Sequence, residues 1–151
     1  AALSGNPLIA PAADVLVLVN QVRELRAVPD IQRLREQIDA TIRGFENRLR
    51  HTDSPAQTLD TAYYVVCVTV DDLVMNTSWG KQSAWSRQSI VSKKYKETIG
   101  GERFFEELRR LKDNPGLNSA VLELMYVCLS LGFQGHMRIL PGGSSEIARL
   151  R

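Results

Sequence analysis

A chain of 151 residues with 44% hydrophobic and 24% charged side chains has the composition of a soluble globular domain, long enough for a core of its own. That balance excludes a disordered tail and a polytopic membrane protein. Nineteen basic against seventeen acidic residues leave a formal charge of +2, interspersed along the chain, which does not make the concentrated basic face a nucleic-acid backbone requires.

From the N-terminus the apolar spacing is helical. Val15, Leu18, Val19, Val22 and Leu25 repeat at three and four residues and predict a first helix ending near Pro29. Ile31, Leu34, Ile38, Ile42, Phe45 and Leu49 continue the period, with Asp30 as the cap and Arg33, Arg35, Glu36, Arg43 and Arg48 on the opposite face. Ser54-Pro55-Ala56-Gln57 combines capping-box spacing with proline at a first helical position, so a third helix is expected from here toward Met75. Within it, Tyr63 to Val70 is a β-branched and aromatic run that propensity alone would assign to a buried strand. The start signal, the length and the stripe Leu59, Tyr63, Val66, Val70, Leu73 favour a helix enclosed by neighbours.

After a Trp79-Gly80 loop, Ser83 is positioned to cap a short helix through Tyr95, and Gly100-Gly101 breaks it before Phe104, Leu108 and Leu111 mark the next. Asn114-Pro115-Gly116 is a turn. Val121, Leu122, Leu124, Met125, Cys128, Leu129 and Leu131 form a helix apolar on nearly every side, expected to be the central one and to end at Gly132 or Gly135. The run Val121 to Phe133 contains Glu123 and falls well short of the roughly 20 residues that cross a bilayer. Pro141 to Ser145 is a hinge. Glu146 to Arg151 has the look of a helix cut in mid-course, so a further segment is expected after it. Six or seven helices with short connections make an all-α single domain over 1–151.

Chemistry finds little purchase in this pattern. His51 and His136 have no Cys, His, Asp or Glu near them at metal-ligand spacing, and no cofactor, metal or catalytic residue is expected. Cys67 and Cys128 sit in apolar runs as small hydrophobes, which fits a reducing compartment. Gly100-Gly101 lacks the strand, the spaced glycines and the Lys-Ser or Lys-Thr of a phosphate loop. Lys93, Lys94, Lys96, Arg103, Arg109 and Arg110 are interleaved with Glu97, Glu102, Glu106 and Glu107, the pattern of a salt-bridged face.

Two tryptophans and two phenylalanines fall between positions 79 and 105 in a chain that is only 7% aromatic. The indoles of Trp79 and Trp85 either close a connection onto the bundle or meet a partner. Asp71 and Asp72, adjacent on a helix, point about 100 degrees apart and cannot act as a facing acid-base pair. They form either a solvated helix end or an acidic lip beside Trp79 that accepts Arg or Lys from a partner.

The run Asp72 to Gly80, Trp85-Ser86, Gly100 to Phe105 and Leu122 to Gly135 together resemble the TssL family, also called DotU or IcmH-like. Asn6-Pro7-Leu8 matches that family's opening, so the resemblance spans nearly the whole chain. It implies an all-α compact bundle of about seven or eight helices, arranged as two small bundles, and a non-catalytic subunit of the bacterial type VI secretion machine. A C-terminal transmembrane helix would anchor it to the inner membrane, with this domain on the cytoplasmic side. The implied partners are the large inner-membrane protein TssM (IcmF-like), the lipoprotein TssJ in the same complex, the baseplate subunit TssK and a second copy, giving a homodimer. DotU of type IV secretion is the neighbouring alternative; a helical nucleic-acid-binding or regulatory domain is the alternative from another class.

Residue by residue, the family's acidic pair falls on Asp71 and Asp72, where relatives more often carry Asp-Glu. Gly135-His136-Met137-Arg138 stands where the family has glycine, a basic residue, an aromatic and arginine. The candidate partner-binding set is Asp71, Asp72, Asn76, Trp79, Trp85 and Arg138.

Overall fold

Leu8 and the alternation of Val15, Leu16, Val19 and Val22 bury one face of a first helix, α1, Ile9–Val22, in the computed structural model, which describes residues 6–95 and 102–134. It ends at Arg23, earlier than the sequence predicts. Leu25, assigned above to the apolar stripe, is 47% exposed, while its carbonyl accepts the indole N–H of Trp79 at 3.1 Å. The backbone turns away because a carbonyl that serves a distant side chain has left the helical ladder.

Helix α2, Ile31–Arg50, starts as its cap predicts, with Asp30 accepting from the amide of Arg33 at 3.0 Å. Ile38, Ile42, Phe45 and Leu49 are its buried stripe. Arg35 was expected on the polar face and is buried instead. It lies along the same seam, bonded to Asp39 at 3.0 Å and to the carbonyl of Gln88 at 2.6 Å, with its guanidinium 4.6 Å from the centre of the Trp85 ring. Burial of a guanidinium is tolerable when its donors are satisfied and an aromatic face receives it.

Helix α3, Ala56–Met75, carries the whole β-branched run, so the local strand propensity of Tyr63 to Val70 is overridden by packing. Tyr64 to Val70 are all buried. Pro55 rather than Ser54 flanks its start, and no side chain caps that position. Neighbours on every side explain the residue choice: α3 touches every other helical element described here, and it, not the last apolar helix, is the centre of the bundle. Buried Thr69 remains compatible because its hydroxyl donates to Val65 O at 2.7 Å.

The segment after α3 is more helical than expected. Trp79-Gly80 lies in a one-turn helix, α4, Ser78–Lys81, capped by the Thr77 hydroxyl, which accepts from Gly80 N at 2.9 Å. Ser83 does cap, but what it caps is a 3-10 helix, Ala84–Gln88. A break at Ser89 separates this from α5, Ile90–Tyr95. Helix α6, Glu102–Leu111, buries Phe104, Phe105, Leu108 and Leu111. Helix α7, Ser119–Leu131, packs on α3, α1 and α6 and ends at Gly132, whose φ of 114° is the left-handed region where a side chain is disfavoured.

Among the described residues there are seven α-helices and no strand, so the all-α expectation holds. No described helix is long and apolar enough to cross a membrane. Gly100-Gly101, His136, Arg138, the Pro141 to Ser145 hinge and the last helix lie outside the described residues.

Candidate functional site

The two aspartates near the end of α3 serve different structures, as their 100-degree separation requires. Asp71 points inward and is 6% exposed. One carboxylate oxygen accepts from Trp85 Nε1 at 2.8 Å and from the amide of Ile90 at 2.9 Å; the other accepts from the amide of Val91 at 3.0 Å. These two amides are the first of α5, and a carboxylate supplied from α3 is the reason a new helix begins there rather than continuing from Ser83. Asp71 is therefore a clasp that ties the 84–95 segment to α3. Neither reading of Asp71 given above, the solvated helix end or the acidic lip, fits this buried position.

Burial pushes the Asp71 carboxyl up to about 6, against the amides of Val91 and Ile90, the Trp85 indole and the Arg35 guanidinium, which all favour the ionised form. Cys67, one helical turn back, is pushed well above the usual thiol range, by burial first and by the Asp71 charge second. Burial also pushes Cys128 up to about 12. Neither cysteine is a thiolate at neutral pH, as a nucleophile must be. Both are free and buried, as their apolar surroundings predict.

Both tryptophans are interior. Trp79 is 6% and Trp85 3% exposed, so of the two readings their surroundings fit the one that closes a connection. Trp79 bolts the α1–α2 connection to α4 through Leu25 O; Trp85 donates to the Asp71 carboxylate and packs against the Arg35 guanidinium. Gly80 is required here by proximity: a Cβ at this position would sit 2.0 Å from the carbonyl oxygen of Val74.

Among the described members of the set, Asp72 and Asn76 are the two that are not buried. Asp72 is half-buried and its Oδ2 accepts from the backbone amide of Gln134 at 3.1 Å. Asn76 is exposed on the rim of a cleft of about 370 Å³, bordered also by Arg23, Glu24, Ser78, Gly132 and Gln134. The residues that end α1, α3 and α7, namely Arg23, Asn76 and Gly132, all border this cleft, so three helix C-termini with their partial negative charge converge on it. Arg23 already answers one of them, its Nη1 donating to the carbonyl of Leu131.

Sequence reasoning missed Arg23 and Gln134. Gln134 belonged to a quoted motif without a role, and Arg23 carried the signal of a basic residue just past a helix C-terminus.

Lys94, Arg103 and Arg110 of the basic run are paired. Lys94 reaches Glu46 at 3.4 Å and lies 4.0 Å from the Tyr63 ring centre; Arg103 reaches Asp60 at 3.2 Å and lies 4.4 Å from that of Tyr64. Arg110 pairs with Glu107. His51 bonds back to Asn47 O on an exposed helix end. Among the described residues no group of three His, Cys, Asp or Glu side chains gathers where a metal could be held.

Residues 7–151 match the family model described as type VI secretion system protein DotU. The fold matches a crystal structure of TssL from Vibrio cholerae at a TM-score of 0.82 and 34% identity, covering 96% of this chain and 93% of that one. The cytoplasmic domain of TssL from Acinetobacter baumannii matches at 0.82 and 27%, covering 95% and 94%. The SciP/TssL structure from enteroaggregative Escherichia coli matches at 0.75, covering 85% and 75%, and at 22% identity shows a likeness of fold. Among curated proteins, none matches.

Proposed function

Since the chain belongs to the DotU family of type VI secretion system proteins, we propose that it is a structural, non-catalytic subunit of that system's membrane complex whose cytoplasmic face docks a partner at the cleft rimmed by Asn76 and Gln134. The observation that carries the docking site is the division of labour in the acidic pair. Asp71 is engaged inside by three donors, whereas Asp72 accepts from the amide of Gln134, a residue that borders a polar recess where three helix C-termini meet. A recess with that electrostatic character favours a cationic side chain, Arg above Lys because its fork matches a carboxylate.

On this reading the docking protein is the TssK-like baseplate subunit. The TssM-like and TssJ-like members of the membrane complex are the remaining neighbours, the full-length protein is a homodimer held at the inner membrane by a C-terminal helix, and this domain faces the cytoplasm. Trp79, Trp85 and Asp71, all buried, hold the fold rather than touching the partner. Arg138 follows the described residues by four positions and is a further contact on the same side of the reading.

Calorimetric titration of the domain with its cognate TssK tests this. Saturable binding is expected for the wild type, and Asp72→Lys should weaken it at least tenfold while circular dichroism stays unchanged. Wild-type affinity in a folded Asp72→Lys variant removes the cleft from the docking surface. No binding by the folded wild-type domain removes TssK as the partner of the isolated domain.

A further inference from the structure

Residues 84–95 lie along α3 as a band fastened at two places. At one, the Asp71 carboxylate accepts from the Trp85 indole and the amides of Ile90 and Val91, and Arg35 donates to the carbonyl of Gln88 at 2.6 Å. At the other, Lys94 sits over the Tyr63 ring and reaches Glu46, while the Tyr95 ring meets that of Tyr64 edge-on at 5.4 Å. Tyr63, Cys67 and Asp71 follow one another at four-residue spacing, so the fully buried Cys67 lies on α3 between the two fastenings. Among the band's described side chains only Trp85, Ile90 and Val91 are buried. The rest of the core meets without it: α1, α2, α6 and α7 each pack on α3, and Phe104 and Phe105 of α6 stack on Phe133 beyond the end of α7. A segment with few buried side chains, laid over helices that pack among themselves, is of the kind that opens before the whole domain does.

We propose that residues 84–95 form a strap that lifts from α3 as one unit, and that a proton on Asp71 holds it closed. Under the strap the carboxylate has exchanged water for three N–H donors. From α2 it is faced by Arg35, which is itself paired with Asp39, and from its own helix by the neutral thiol of Cys67. The strap's nearest charge on this side is Lys94, engaged by Glu46. Lifting the strap returns the carboxyl to water, where it titrates as an ordinary aspartate, whereas burial keeps it protonated up to about 6. The closed form therefore holds a proton that the open form releases, so closure tightens as pH falls from 7 to 5 and the strap is loosest near neutrality.

Thiol labelling of the 151-residue chain by 4,4′-dithiodipyridine tests both halves, with initial rates at Cys67 and Cys128 read separately by peptide mass spectrometry. Each rate is divided by that of the urea-unfolded chain at the same pH, which removes the thiol's intrinsic reactivity and leaves its protection. Cys128 lies beside Thr69 on the α7 side of α3 and reports opening of the core. At pH 7 Cys67 should be at least tenfold less protected than Cys128. Its protection should rise between pH 7 and pH 5, by about tenfold more in the wild type than in Asp71→Asn, the factor set by moving a carboxyl from 3.8 to about 6. Trp85→Phe keeps a ring and removes one donor, and should lower Cys67 protection about tenfold, the order for a hydrogen bond to a charged group. Phe133→Leu, in the stack away from the strap, should lower Cys128 protection and leave Cys67 unchanged.

Equal protection of the two cysteines, or a Cys67 response to Phe133→Leu that matches that of Cys128, means that Cys67 is exposed only by whole-domain unfolding and overturns the strap. An unchanged Cys67 rate in Trp85→Phe does the same. A pH step as large in Asp71→Asn as in the wild type overturns the proton's part and leaves the strap standing. If Asp71→Asn does not fold, the sign of the wild-type step decides: Cys67 protection that falls toward pH 5 overturns closure by the proton.

Discussion

The indole nitrogen of Trp85 lies 2.8 Å from the carboxylate of Asp71, and the amides of Ile90 and Val91 share the same group, so one aspartate on the central helix organises the segment that follows it. This arrangement fixes where α5 starts and buries a charge among donors, with the Arg35 guanidinium 4.6 Å from the centre of the Trp85 ring. A carboxylate so surrounded is a structural keystone, since deleting it leaves three buried N–H groups without an acceptor.

Asp71→Ala is accordingly expected to destabilise the fold by about 3 to 5 kcal/mol, the range for breaking a buried charged network from one side. Asp71→Asn keeps one acceptor oxygen and should cost less. Urea denaturation followed by tryptophan fluorescence measures both; equal stability of Asp71→Ala and wild type would mean the clasp is dispensable.

The pH dependence of that cost has a definite sign. Asp71 titrates at about 6 in the fold against an ordinary value of 3.8, so the native state binds the extra proton between those values. The raised value means that the carboxyl's contribution is greatest near pH 4, falls as pH rises toward 6 and is level above it. The penalty of Asp71→Asn should thus be smaller at pH 7 than at pH 4.5, by on the order of 2–3 kcal/mol at most, since tenfold in proton affinity is worth about 1.4 kcal/mol. Denaturation curves of both proteins at the two pH values check it, and a penalty that grows with pH would reverse the assignment.

Gly80→Ala should fold poorly. Its new methyl group would press on the Val74 carbonyl oxygen at 2.0 Å and on Thr77 Oγ1 at 2.8 Å, and neither backbone nor the cap can yield without opening α4. The expected loss is about 3 kcal/mol or more, comparable to other backbone strain inside a packed turn. A melting temperature within a degree or two of wild type would show that α4 can shift.

Trp79 separates packing from hydrogen bonding. Trp79→Ala removes a buried ring and should cost about 3 to 5 kcal/mol, while Trp79→Phe keeps most of the volume and loses the bond to Leu25 O, at about 1 kcal/mol for that bond alone. Thermal melts of the pair give the comparison. A folded, fully stable Trp79→Ala that is deficient in partner binding would transfer the ring to the interface.

Much of the helical frame was legible because periodicity records burial directly. The stripe Ile38, Ile42, Phe45 and Leu49 and the Asp30 cap mark α2 without reference to anything outside it, and Gly132 marks the end of α7 by the left-handed backbone it adopts. Family membership was legible for the same reason, in short runs whose residues are close in sequence. What a local pattern cannot record is which of two adjacent residues meets a distant segment. Asp71 and Asp72 look alike in sequence, and they part only when the 84–95 segment closes on one face of α3 and the end of α7 reaches the other.

The sequence by itself determined the all-α class, the Asp30 cap and the apolar stripe of α2, because each depends on contacts within a turn or two. Tertiary structure alone decided that α3 rather than α7 is central, that Arg35 lies over Trp85, that Leu25 is exposed and that Arg23 caps a helix more than a hundred residues away. Those outcomes are set by long-range packing, where helical propensity and polarity are equal on both alternatives and the geometry of the neighbouring helix breaks the tie.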